Sequence, residues 1–191
     1  MRIPVALLAL LGQAAPAAAA PLGLGERLAP LKMKQASGEE LEPASLVGRK
    51  AYVLAFIATR CPVSKAYDAR LATFAEEYRA RGVAVLGINS NRHESAAETA
   101  EHASRSGFSF PVLQDAGHAF ADELGAQVTP EVFVFDADWA LRYRGRIDDD
   151  RSGSAVASAD LRAAVDALLS DQRPRLEQTQ AFGCTIRRDT N

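Results

Sequence analysis

The chain has 191 residues, of which 48% are hydrophobic and 24% charged, a globular composition long enough for one domain with appendages. Its 22 basic and 24 acidic side chains leave a net charge of −2. No basic surface is advertised for nucleic acid or an anionic membrane.

The first twenty residues have the form of an export leader. Met1-Arg2 supplies a charge, Ile3 to Leu11 an apolar stretch, and Gln13 to Ala20 small residues with Ala-x-Ala sites at Ala17–Ala19 or Ala18–Ala20. The apolar run is too short for a bilayer span, so no membrane span is expected in the mature form. The other reading is an Ala/Pro-rich tail on a cytosolic protein. Cleavage near Ala19/Ala20 would place the mature chain in the periplasm or outside the cell. Disulfides form in those compartments, and both cysteines, Cys61 and Cys184, survive cleavage.

Residues 21–45 form a polar lead-in with one short strand expected at Leu31–Gln35 and a turn at Ser37-Gly38. Ala51–Ala58 is continuously apolar, as a buried parallel strand should be. Cys61 and Pro62 then stand at the N-cap and first position of a helix predicted over Val63–Arg81. Its buried face is Val63, Tyr67, Leu71, Phe74 and Tyr78, and Gly82 follows its end. Val83–Ile88 is a second buried strand, completing a βαβ unit that should be right-handed.

Ser95-x-x-Glu98 is a capping box for a helix ending near Gly107. A short strand is expected at Phe110–Leu113 and a short helix at Asp115–Leu124. Val128-Thr129-Pro130 leads into a strand at Val132–Phe135, a turn at Asp136–Asp138 and a returning strand at Leu141–Ile147. Ser158 is the expected cap of a last helix bearing Leu161, Val165 and Leu168. The tail, residues 172–191, has no periodicity but contains Phe182-Gly183-Cys184-Thr185-Ile186, whose glycine suits a turn that would order it against the body. The class is α/β.

Chemistry concentrates at Cys61. A sulfur at a helix start faces unpaired N–H groups and the positive end of the helix dipole, both of which favour a thiolate. The plainer reading is a small buried hydrophobe. Arg60, next to it, is either a partner for the thiolate or a solvated loop residue. Asn89, Ser90 and Asn91 end a parallel strand, where open α/β sheets place their sites, though such residues also form turns. Asp148-Asp149-Asp150 reads as a solvated loop, and His93, His102 and His118 have no metal-ligand spacing. His102 is expected on a helix surface, His118 at a helix start and Trp139 in a hairpin turn. No cofactor and no metal are expected.

The phrases CPVSKAYDARL, GINSN, VTPEVFVFD, RYRGRIDD and GCTI, in this order, resemble the peroxiredoxin-like redoxins of the thioredoxin superfamily. The resemblance spans roughly residues 46–171. It implies a thioredoxin fold, a central mixed β-sheet flanked by helices, with the N-terminal lead-in and the C-terminal tail outside it. Pro130 matches the cis proline that lies against the active cysteine, with the Thr129 backbone exposed for pairing with a disulfide-bearing substrate. Glu131 would then be a proton relay near the sulfur; otherwise it is an exposed edge charge.

Two departures bear on the activity. Ser64 stands where dithiol members carry a second cysteine, and its hydroxyl would bond the Cys61 thiolate without closing a disulfide. The peroxidase phrase Pro-x-x-x-Thr-x-x-Cys would need proline at Leu54 and threonine at Ala58. Three arrangements of Cys184 stay open: a resolving thiol, a static bond to Cys61, or no contact with it. The implied function is a thiol oxidoreductase acting on a disulfide-bearing protein or a peroxide, served by an external thiol reductant. A redox-silent protein-binding module is the rival from another class.

Overall fold

The computed structural model describes residues 20–29, 34–41 and 46–188. The expected leader, all but the last two residues of the strand expected at Leu31–Gln35, and the end of the tail lie outside them. Lys34 and Gln35 each make a single bridge, to Glu40 and Leu113.

Five strands form one mixed sheet: β1 Ala51–Phe56, β2 Val83–Asn89, β3 Val112–Gln114, β5 Glu131–Asp136 and β6 Leu141–Gly145, in the order β3-β2-β1-β5-β6. β1 pairs in parallel with β2, and β2 with β3; β5 is antiparallel to both β1 and β6. The helices are α1 Pro62–Ala66, α2 Asp68–Arg79, α3 Ala96–Arg105, α4 Ala119–Leu124 and α5 Asp160–Leu169. A second, two-stranded sheet joins β4 Val128–Thr129 to β7 Cys184–Thr185 in the tail. The central mixed sheet flanked by helices is the one the thioredoxin resemblance implies.

The period-two geometry of β1 divides the core. Ala51, Val53, Ala55 and Ile57 face one cluster with Leu71, Phe74 and Tyr78 of α2 and Leu161 and Val165 of α5. Tyr52, Leu54 and Phe56 face the other, with Phe120 and Leu124 of α4, Phe133, Phe135 and the tail residue Ile186. A strand buried on both faces must be apolar throughout, which is why β1 has no alternation.

Several elements depart from expectation where tertiary contacts win over local pattern. The helix expected over Val63–Arg81 breaks at Tyr67, whose N–H bonds Ser64 O while its hydroxyl donates to Asp148 Oδ1 at 3.0 Å. Burial and the Asp148 carboxylate push that hydroxyl's pKa up. Asp148 is accordingly no solvated loop residue: it is buried and ion-paired with Arg70 at 2.5 Å. His102 is not on a surface either but lies buried against Asp68 at 3.0 Å.

The helix expected from Asp115 starts at Ala119, because the Asp115 carboxylate accepts the N–H groups of Phe120 and Ala121 and so caps from upstream. The strand expected at Phe110–Leu113 lies at Val112–Gln114. The returning strand stops at Gly145 rather than Ile147, where a Cβ would meet Thr179 Oγ1 at 2.3 Å as the tail crosses. Ser158 donates to Asp160 Oδ1 instead of capping α5, whose N-cap is Ala159. The Ser95–Glu98 capping box of α3 is complete.

Asp148→Ala should lower the unfolding free energy by about 1–3 kcal/mol, because it strands the Tyr67 hydroxyl and removes the carboxylate paired with Arg70, which keeps the Asp150 and Arg151 carbonyls. Ser158→Ala, removing no cap, should cost less than about 0.5 kcal/mol. Urea titrations of the two variants check both, and equal losses would contradict these roles.

Candidate redox centre

Beyond β1 the chain makes a tight approach to Cys61. Ala58 N–H donates to Ser64 Oγ at 3.0 Å, and the amides of Thr59 and Arg60 donate to the two oxygens of Glu94 at 2.7 and 3.0 Å. Glu94 is 6% exposed and also accepts from Asn89 Nδ2 at 2.7 Å. This carboxylate holds the loop from behind and presents Cys61 at the N-cap of α1, with Pro62 at the first helical position. The Ser64 N–H donates to Cys61 Sγ at 3.3 Å. α1 has only five residues, so this direct bond rather than a long helix dipole acts on the sulfur.

The second side is the turn into β5. The Thr129–Pro130 peptide is cis, and the Thr129 carbonyl oxygen lies 3.3 Å from Cys61 Sγ. Glu131 is buried, and its Oε2 accepts the amides of Gln127 and Val128 at 2.8 and 3.3 Å. Glu131 is therefore neither an exposed edge charge nor a group bonded to the sulfur; it staples its own loop. Two buried carboxylates thus fix the two loops that converge on Cys61.

The third side is the tail. Cys61 and Cys184, 123 residues apart in sequence, are joined as a disulfide with their Cα atoms 5.9 Å apart. The tail strand β7 lies antiparallel to β4, in the register Thr129↔Cys184 and Val128↔Thr185. Gly183 is required there, since a Cβ on it would fall 2.0 Å from the Thr129 oxygen. Ile186 N–H donates to Gln127 O at 2.9 Å, Arg187 N–H to Asn91 Oδ1 at 3.0 Å, and Arg92 N–H to Arg187 O at 2.9 Å. Arg188 reaches Asp122 at 2.7 Å and Ala126 O at 2.6 Å.

Cys61, Ser64, Thr129, Pro130 and Cys184 therefore meet, and Asn91 grips the tail. The Ser64 hydroxyl is turned to Ala58, so its amide rather than its hydroxyl serves the sulfur. Arg60 points away: its guanidinium, 60% exposed, pairs with Glu98. The Ser95 N–H, with Arg60 adding to it, holds the Glu98 carboxyl down to about 2. Glu94 escapes a reading by motif because its partners at Thr59 and Arg60 lie 35 and 34 residues away. Among the described residues no group of three or more His, Cys, Asp or Glu side chains is placed to hold a metal ion. No helix of the described residues is long and apolar enough to cross a membrane.

Residues 12–144 match the model of the AhpC/TSA family. The chain belongs to that family. A hypothetical protein of Sinorhizobium meliloti 1021 has a similar structure, with 35% identity, a TM-score of 0.81, and 89% of this chain and 97% of that one covered. The thiol-disulfide oxidoreductase ResA of Halalkalibacterium halodurans is 26% identical over 112 residues. That match takes in 59% of this chain and 62% of ResA, so the chain spans about three-fifths of the length of that curated relative. A putative thioredoxin of Neisseria meningitidis, 17% identical, shares the fold with a TM-score of 0.59 over 74% of this chain and 88% of that one. In this AhpC/TSA member the thioredoxin fold carries a joined cysteine pair.

Arg60→Ala should leave the alkylation rate of reduced Cys61 within about twofold, because that guanidinium does not face the sulfur. Glu94→Ala should instead destabilise the chain by about 1–3 kcal/mol by leaving two loop amides unpaired. Iodoacetamide kinetics and urea titration read the two effects; a tenfold slowing in the arginine variant would put its charge at the thiolate.

Proposed function

We propose that the chain is an exported thiol-disulfide oxidoreductase in which Cys61 is the nucleophile and Cys184 the resolving thiol. The observation that carries this reading is the pairing of Cys184 with Cys61 across the Thr129–Pro130 turn. In the reduced chain the Cys61 thiolate attacks one sulfur of a substrate disulfide. A mixed disulfide forms and one substrate thiolate leaves. The Cys184 thiolate then attacks Cys61 Sγ, the second substrate thiolate departs, and the Cys61–Cys184 bond forms. An external thiol reductant returns two electrons to that bond and restores both thiols.

The residues supply distinct help. The Ser64 N–H stabilises negative charge on Sγ, as attacking thiolate and later as leaving group. Thr129 offers backbone groups to whatever strand lies across the sulfur, and Pro130 contributes no competing N–H. The leader-like residues 1–20 support export to the periplasm or beyond, where an oxidised pair persists. The same pair could also close after peroxide reduction, with water lost when Cys184 attacks a sulfenic acid on Cys61. This cycle ranks second because Arg60 is engaged with Glu98 and the peroxidase phrase is absent.

Stopped-flow mixing of the reduced chain with glutathione disulfide, followed by acid trapping and mass spectrometry, tests the cycle. The wild type should pass to the internal disulfide. Cys184→Ser should accumulate a Cys61–glutathione adduct and lose about tenfold or more in turnover, while Cys61→Ser should form no adduct. A Cys61 that alkylates no faster than a free cysteine and forms no adduct would end the exchange reading. Sulfenic acid at Cys61 forming far faster with peroxide would install the second cycle.

A further inference from the structure

The tail does more than deliver a sulfur. On either side of Cys184 the chain is held by contacts that do not involve the disulfide, and each makes a demand on residue type. The position before the cysteine tolerates no side chain, because a Cβ at Gly183 meets the Thr129 backbone oxygen at 2.0 Å. The next residue after the cysteine, Thr185, faces solvent. The residue after that, Ile186, is 3% exposed and belongs to the apolar cluster that holds Phe120, Leu124 and Ala126.

Arg187 is recognised through its backbone, its N–H by Asn91 Oδ1 and its carbonyl by Arg92 N–H. Arg188 is recognised through its side chain, by the Asp122 carboxylate and the Ala126 carbonyl. Strand pairing supplies the remainder, with Ile186 N–H on Gln127 O and the Thr129 hydroxyl 3.5 Å from Cys184 O. Backbone pairing gives affinity in such an arrangement, and pockets for alternate side chains give specificity.

We propose that the trough between the Cys61 loop and β4 is a binding site for an extended polypeptide of the pattern glycine, cysteine, any residue, branched apolar residue, any residue, arginine, and that residues 182–188 are its resident occupant. The proposal names the substrate class of the redox centre and so rests on the exchange reading above. In this arrangement a substrate strand competes with the tail for one set of contacts. The tail has the advantage of its tether, which gives it a high effective concentration. A chain with the same pattern around its cysteine displaces it best. Small disulfides need only reach the sulfur.

The test uses the full chain carrying Cys184→Ser and Ile186→Asp, which keeps Cys61 and burdens the tail with a charge the apolar cluster rejects. The probe is a heptapeptide of residues 182–188 carrying Cys184→Ser, so that no covalent bond contributes. Amide NMR should show shifts at Asn91, Gln127, Val128 and Thr129. Peptides that also carry Ile186→Asp or Gly183→Val should bind about tenfold or more weakly. Equal binding by all three, or no shift at these amides in a folded protein, overturns the proposal.

A second measurement needs no substitution. In the wild type reduced with a phosphine, the Ile186 and Arg187 amides should keep slow hydrogen exchange; exchange at unprotected rates would show that the disulfide alone holds the tail, and would overturn the proposal. Reaction of Cys61 with a small aromatic disulfide reads the chemistry separately. Peptide binding without that reaction sinks the exchange reading and leaves the binding site standing. Reaction without peptide binding does the reverse.

Discussion

The structure turns on one edge of backbone, the Val128–Thr129 segment that β5 leaves unpaired where the chain passes over Cys61. Buried N–H and C=O groups must find partners, and a segment this short cannot supply its own. From behind, Glu131 takes the amides of Gln127 and Val128. From in front, the tail pairs with Val128 and Thr129 and gives Gln127 O the Ile186 amide. Across the gap, Glu94 does for the Cys61 approach what Glu131 does for this turn. The cysteine thus sits between two loops stiffened by buried carboxylates of the body of the protein.

The tail is joined to that body in two ways that differ in redox character. The Cys61–Cys184 bond closes a loop of 123 residues, for which the chain-entropy model gives about 5 kcal/mol against the unfolded state. That contribution disappears on reduction. The burial of Ile186, the Arg188–Asp122 pair and the backbone bonds to Asn91 and Arg92 do not depend on the oxidation state of the sulfurs. On the proposal above, reduction removes the covalent restraint while the recognition contacts persist. A tail held by the disulfide alone would need neither a glycine pressed against Thr129 nor an isoleucine in the core.

Features that depend on neighbours in sequence were legible without a structure. The runs around Val53 and Val85 are apolar because strands covered on both faces have no polar side, and the Ser95–Glu98 box is complete within four residues. Cys61 announced itself by its place between a strand and Pro62. What escaped depends on distant partners. Tyr67 lies on the predicted helix face, yet the helix is interrupted there and its hydroxyl goes to Asp148, 81 residues on. Glu94 looks like the residue before a cap, and only the fold brings Thr59 and Arg60 to its carboxylate. The burial of His102 depends on Asp68, which stands on another helix. Charged side chains in a loop read as solvated unless their ion-pair partners are known, and the partner of Asp148, Arg70, lies 78 residues away.

The serine at position 64 gives the arrangement its logic. A second thiol there would sit on the rigid α1, within reach of Cys61 at every stage, and resolution would need no change in the groove. With Ser64 Oγ accepting the Ala58 amide, the cysteine joined to Cys61 stands instead on the tail strand paired with Val128–Thr129, the ground that the proposed cycle gives to a substrate strand. On the proposed cycle the two occupants cannot lie across Thr129 together. While the substrate is paired there, Cys184 stands off, and the mixed disulfide lasts until the substrate strand loosens. The return of the tail then brings Cys184 to Cys61 and refills the contacts the substrate leaves. Resolution and product release become one event, and the same backbone pairing that selects the substrate also ends its stay.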